Sequence, residues 1–297
     1  MLVTDADAFA AEDLVLCAGT LMTTPFTARL APARDAGFRG VSLQPMDAMT
    51  FLGNGRAPED LIALVADHGL AVAEFDAITT WDDDDDHDPP AAWGPDGLAM
   101  KAGTAENLVP LAAAVGARSI SIVEYYGVSL GTDRAAGGFA RACDLAAEHG
   151  LLVTLEFLPW TGVPTLAEAI AVVQAAGRPN GGVLVDSWHL FRSGATLDDL
   201  AAVPADRVRY VQIDDAPVIP EADPAAETTH RRLVPGDGNL DLVGFVRTLR
   251  AIGYAGPLGV EVYSDDLAAL DPAEAARRCG DGTREVLREA GERRPSG

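Results

Sequence analysis

Four short apolar runs in the second half of the chain are each interrupted near their end by an oxygen-bearing side chain: Glu156 in TLEF, Asp186 in LVDSWH, Gln212 in YVQID and Glu261 in GVEVY. They are 30, 26 and 49 residues apart, roughly one strand-plus-helix unit for the first two intervals and a longer unit for the third. A single acid at a strand end is usually capped or salt-bridged; four in succession are not explained that way. Burying three carboxylates together is costly unless a cation compensates them. Lysine cannot serve generally, because Lys101 is the only one in the chain. A divalent metal is the simplest compensating group: three carboxylates and an amide oxygen make a hard oxygen site suited to Mn or Mg, completed by water or substrate. A metal gripping a carbonyl and its neighbouring hydroxyl makes the adjacent C–H acidic, because the developing enediolate charge is held in a dry, preorganised site. Glu156 and Glu261, from different strands, are the candidate acid/base pair. Proton return to the opposite face gives an epimer, return to the neighbouring carbon gives an aldose/ketose isomer, and prior loss of a β-hydroxyl gives dehydration.

Positioning such a set requires strands whose ends converge. Eight short runs rich in Val, Ile and Leu read as strands: Leu14 to Leu21, Gly40 to Gln44, Ala71 to Phe75, Ser119 to Val123, Leu152 to Phe157, Gly182 to Asp186, Val208 to Ile213 and Leu258 to Val262. Ala- and Leu-rich segments near 27–37, 57–68, 97–115, 133–148, 165–177, 196–203, 240–252 and 267–290 read as the intervening helices. DAGFRG, DHGLAV, AVGARS, EHGLLV and AIGYAGPLG each place Gly where a helix must stop. Eight such units in unbroken series predict an α/β fold, a single (β/α)8 TIM barrel forming one domain over residues 1–297. In that fold the strand C-terminal ends share one mouth, where the four polar residues would meet.

Composition narrows the partners. Of 297 residues, 22 are Lys or Arg and 45 Asp or Glu, a formal charge of −23. Such a field repels phosphate backbones and anionic lipid, which argues against nucleic-acid and membrane partners and leaves a small polyhydroxy or keto molecule as substrate. The N-terminus lacks the pattern of a signal peptide and no apolar stretch approaches ~20 residues, which together with three unpatterned cysteines (Cys17, Cys143, Cys279) predicts a reduced, cytoplasmic protein. The Asp82–Asp86 run after the third strand reads either as a solvated loop or as an acidic rim or lid at the mouth. The stretch from Leu267 to Arg294 reads either as a subunit contact in a homo-oligomer or as a helix capping its own barrel.

Other residues are open between two roles. Arg232, with Arg231 indistinguishable from it, precedes the turn signal PGDG and is either a substrate contact or a loop residue. Glu124, ending strand four, either lines the mouth or forms a structural ion pair. Trp160 and Trp188 flank the mouth and either stack on a sugar ring or pack in the rim. Phe157 and Tyr263, beside ligand positions, are expected to point outward between barrel and helices.

Taken together, Glu156, Asp186-Ser-Trp-His189, Val211-Gln212 and Glu261 resemble the metal-binding pattern of the xylose-isomerase-like TIM-barrel superfamily, which includes sugar phosphate isomerase/epimerases. The resemblance covers most of the chain and is densest from Leu152 to Asp266. It implies that Glu156, Asp186, Gln212 and Glu261 are metal ligands and that His189 contacts substrate; independently of the resemblance, a dehydration requires a leaving-group acid, for which His189 is the candidate. The third ligand is usually His in the epimerase branch and is Gln here. The segment VQIDDAP, followed by RRLVPGDGNLDLVGFVRTLRAIGYAGPLGVEVYSDD, resembles the TIM-barrel 3-dehydroshikimate dehydratases, some of which carry Gln at that position. A dehydratase is therefore the competing expectation. The multinuclear site of endonuclease IV-type repair enzymes needs more histidines than the five present.

Overall fold

Eight parallel strands close on themselves in chain order: β1 Leu14–Leu16, β2 Gly40–Leu43, β3 Ala71–Ile78, β4 Ser119–Val123, β5 Leu152–Glu156, β6 Gly181–Asp186, β7 Val208–Ile213 and β8 Leu258–Val260, with β1 paired to both β2 and β8. The computed structural model describes residues 9–81 and 101–292; the Asp82–Asp86 run, His87 and the beginning of the 97–115 helix expectation lie outside the described residues.

Strands such as β4 (SISIV) and β6 (GGVLVD) are buried over their whole length. β6 is apolar on both faces up to Asp186, whereas β4 alternates: Ile120 and Ile122 join the helix-facing core, and the Ser119 and Ser121 hydroxyls donate to the Ala73 carbonyl and to Asp76 on the other face. One apolar cluster lies between barrel and helices and includes Leu16, Leu43, Phe75, Ile120, Phe157, Val185, Val211 and Val260. A smaller one, Phe9, Val15, Ala73, Leu184 and Tyr210, fills the barrel interior. Leu184 and Tyr210 stand two residues before Asp186 and Gln212, on the same strand face, so this apolar layer forms the floor beneath the polar one. Gly37, Gly69, Gly116, Gly150 and Gly253, one from each recurrent motif, adopt left-handed φ values, Gly253 at 85° ending the helix Leu242–Ile252, the role foreseen for them.

The structure corrects several boundaries. The first strand stops at Leu16, and Ala18–Leu21 is a 3₁₀ turn, because the Thr20 hydroxyl donates to the Val260 carbonyl and accepts the Val262 N–H while Ala18 N–H donates to Ser42 Oγ. Strand three runs three residues past the expected end, to Ile78. Three short helices after strands, Pro45–Gly53, Ser187–Arg192 and Pro224–His230, were not anticipated. The expected 267–290 helix divides into Asp265–Ala268 and Pro272–Gly291, the second capped by Asp271. Pro272–Gly291 packs against Phe26–Asp35 and Leu242–Ile252 of its own barrel. Among the described residues no helix is long and apolar enough to cross a membrane.

Candidate active site

Strand ends deliver the predicted residues to one region. Glu156 is the last residue of β5, Asp186 the last of β6, Gln212 pairs in register with Asp186 on β7, and Glu261 follows β8 directly. Asp186 Oδ1 also accepts the His189 N–H at 2.9 Å, capping Ser187–Arg192. That cap folds the first helical turn back so that the His189 imidazole returns to the aspartate that starts it. His189 Nε2 lies 3.3 Å from Glu156 Oε1 and 3.3 Å from Arg232 Nη2. Ligand atoms of Glu156, Asp186 and His189 all fall within 4.8 Å of one another, so this triad could bind a metal. The all-oxygen set expected from the sequence thus has a nitrogen beside it.

Arg232 is distinguished from Arg231 by burial: its side chain is 3% exposed, whereas that of Arg231 is 64% exposed and faces Glu221. Thr228, on Pro224–His230, grips Arg232. Nε donates to the Thr228 carbonyl (3.0 Å) and hydroxyl (3.1 Å), and Nη2 to the same hydroxyl (2.8 Å). Nη1 donates to Asp186 Oδ2 at 2.8 Å, and lies 2.9 Å from Asp214 Oδ2 and 3.8 Å from Glu261 Oε2. Burial works against its charge, but Asp186, Asp214 and Glu261 more than offset that and hold the guanidinium ionised.

Six carboxyl groups, those of Glu74, Asp76, Glu156, Asp186, Asp214 and Glu261, crowd this region around that one guanidinium. Burial, then the neighbouring Asp76, pushes Glu74, Glu156 and Glu261 well above the usual carboxylate range. Burial, then Asp186, does the same to Asp214. His189 moves the other way: burial depresses it to about 3, so the ring is neutral near neutrality. The excess of carboxyls over cations, together with a buried Gln212 Oε1 that has no hydrogen-bond partner, fits a hard dication.

A cavity of about 400 Å³ opens above these groups. Asp76, Glu156, His189, Arg232 and Glu261 line its inner part, and Met22, Met46, Met49 and Leu158 its outer wall. Asp76, whose carboxylate accepts from the Ser121 hydroxyl at 2.7 Å, was missed because β3 outlasts its apolar run. Tyr125 was also missed. Tyr263 lines the cavity rather than facing outward: it stands two residues after Glu261, and alternation puts such residues on the same face. The one-residue offset of Phe157 sends it into the helix-facing core as expected.

Three candidates have other work. Glu124 accepts backbone N–H groups of Tyr126, Gly127 and Gly162, joining the loops after β4 and β5. Trp188 is fully buried; its indole N–H donates to Glu227 at 2.9 Å, and its ring meets Trp160 and His189 edge-on. Neither tryptophan lines the cavity. The two aspartates of VQIDDAP face apart. Asp214 Oδ1 accepts the Ser187 hydroxyl and the Trp188 N–H. Asp215 accepts the backbone N–H groups of Gly236, Gly238 and Leu240, each at 3.0 Å, and so fixes the PGDG turn.

A closed eight-stranded barrel that gathers carboxyls, an imidazole and a guanidinium around one cavity at its strand C-termini is the architecture of a barrel enzyme. Residues 30–283 match the xylose isomerase-like TIM barrel family, and the chain belongs to it. Similar proteins include the 3-dehydroshikimate dehydratase of Pseudomonas putida, 27% identical over 255 residues; the match covers 85% of this chain and only 38% of that enzyme. The ketose 3-epimerase of Arthrobacter globiformis is 26% identical over 86% of this chain and 85% of its own length. The crystal structure of the IOLI protein with a bound zinc atom superposes with a TM-score of 0.79 at 19% identity, covering 93% of this chain and 98% of that one, which establishes likeness of fold.

Proposed function

We propose that the chain is a divalent-metal-dependent isomerase or epimerase, using Mn or Mg, that acts on a free sugar or a cyclic polyol ketone by moving a proton beside its carbonyl. Glu156, Asp186, Gln212 and Glu261 would hold the ion, with His189 next to them. When bound, the ion supplies Lewis acidity to the substrate carbonyl and adjacent hydroxyl. The observation that carries the reading is that Glu156 and Glu261, at the ends of β5 and β8, face the same cavity beside His189. Two carboxyl groups that reach one substrate site can take up a proton and return it there. Neutral His189 is a hydrogen-bonding partner for a substrate oxygen.

A dehydratase is the second reading, supported by Gln212 and by the match of the P. putida dehydratase across 85% of the chain. Cavity charge favours the first. Among the described lining residues Arg232 alone is permanently cationic, and Asp186 and Asp214 already hold it, so a carboxylate-bearing substrate would find acids instead. The test is incubation with Mn in deuterated water and a panel of ketoses and inososes, followed by NMR. Deuterium entering the carbon next to the carbonyl, with a saturated product, is expected. No exchange across the panel refutes the proposal, and a conjugated, ultraviolet-absorbing product replaces it with the lyase.

A further inference from the structure

We infer that Glu74 is a positioning residue that decides which end of the Gln212 amide faces the ion-holding carboxylates, an inference that rests on the metal reading above. Glu74 sits on β3 with no solvent exposure and projects into the barrel interior two residues before Asp76. Its Oε2 accepts a hydrogen bond from Gln212 Nε2 at 3.4 Å. Gln212 Oε1 is left buried and without a hydrogen-bond partner, and so is Glu74 Oε1.

An amide is the one ligand type in this set with two unlike ends. The NH2 end carries donors only and repels a cation, whereas the oxygen can ligate it. A carboxylate needs no such choice, since its two oxygens are equivalent. A glutamine at this position therefore needs a partner that recognises NH2, and an acceptor on the far side of the amide is that partner. Hydrogen bonds that orient ligands from behind commonly tune metal affinity. Stability does not explain Glu74: a fully buried carboxyl with one oxygen unsatisfied is a destabilising element that an apolar residue would relieve.

The test uses the full chain, with Mn affinity from calorimetry and metal content as readouts and melting of the metal-free protein as a control. Glu74→Leu should weaken Mn binding roughly 10- to 100-fold while the metal-free protein melts no lower than wild type. Glu74→Gln, whose amide oxygen can still accept from Gln212, should recover most of that loss. The decisive comparison is the same Glu74→Leu change in a Gln212→Glu background, where a symmetric ligand needs no orientation and the loss should vanish. Equal losses in both backgrounds, or no loss in the wild-type background while Gln212→Ala does weaken binding, overturn the inference alone. Gln212→Ala that binds Mn as tightly as wild type takes Gln212 out of the ligand set and overturns the inference alone, whereas wild-type protein that takes up no Mn removes the metal reading and this inference with it.

Discussion

Replacing Arg232 with Met tests the electrostatic account of the site directly. The variant keeps an unbranched apolar stem but loses the 2.8 Å bond to Asp186, the 2.9 Å approach to Asp214 and the contacts to Thr228. Asp186 and Asp214 are both fully buried, so nothing from solvent replaces the charge. Removing one partner of a buried ion pair costs about 3–5 kcal/mol. Allowing ~2–4 °C of melting temperature per kcal/mol in a large domain, the expected drop is roughly 6–20 °C. The cost must also depend on pH. Without the guanidinium, which lowers the proton affinity of buried Asp214, the folded pKa of that aspartate stands further above its unfolded value of about 3.9, so the variant's stability is retained at low pH and lost as pH rises through the folded value. Melting followed by circular dichroism should therefore show a wider gap between wild type and variant at about pH 8 than at about pH 5. A gap below about 1 kcal/mol, or one equal at both pH values, would mean that Arg232 is not the charge on which these carboxylates depend.

Three further outcomes follow from the same geometry. Glu156 and Glu261 have folded pKa values raised well above 4.5, so their contribution to metal-free stability is present at low pH and lost as pH rises through those values. Mn competes with these protons, so the melting increment it confers should grow between about pH 5.5 and 8, and a pH-independent increment contradicts the ligand assignment. Glu156→Gln should abolish solvent exchange into substrate while the metal-free protein melts at or above the wild-type temperature; retained exchange excludes Glu156 as proton carrier. Glu227→Leu leaves the Trp188 indole and the Arg192 guanidinium without their shared buried acceptor, held at 2.9 and 2.7 Å. It should cost about 3–5 kcal/mol and speed amide exchange in the segment that carries Thr228, with unaltered exchange there as the contrary result.

The barrel was legible because its strands are buried on both faces and its helices stop at glycine, two signals that survive without tertiary context. The polar residues at the ends of β5 to β8 stood out for the same reason, each interrupting an apolar run. What escaped depended on continuation or parity. Asp76 lies beyond the apolar part of β3, where pairing with β4 shifts register, so no pattern marked it as part of the strand. Tyr263 was assigned to the wrong face although its two-residue offset from Glu261 placed it inward. The short helices Ser187–Arg192 and Pro224–His230 carry too few turns for periodicity to register. The burial that separates Arg232 from Arg231 is set by Thr228 and the aspartates, which only the folded chain brings together.

The back-to-back aspartates Asp214 and Asp215 bear on where this barrel tolerates change. One peptide link fastens the turn at 236–240 on one side and the anchorage of Arg232 on the other, so the segment behaves as a rivet through the scaffold rather than as a reader of substrate. Alteration of substrate preference is better sought in the outer wall, where Met22, Met46 and Met49 stand and where replacement leaves the fastening untouched.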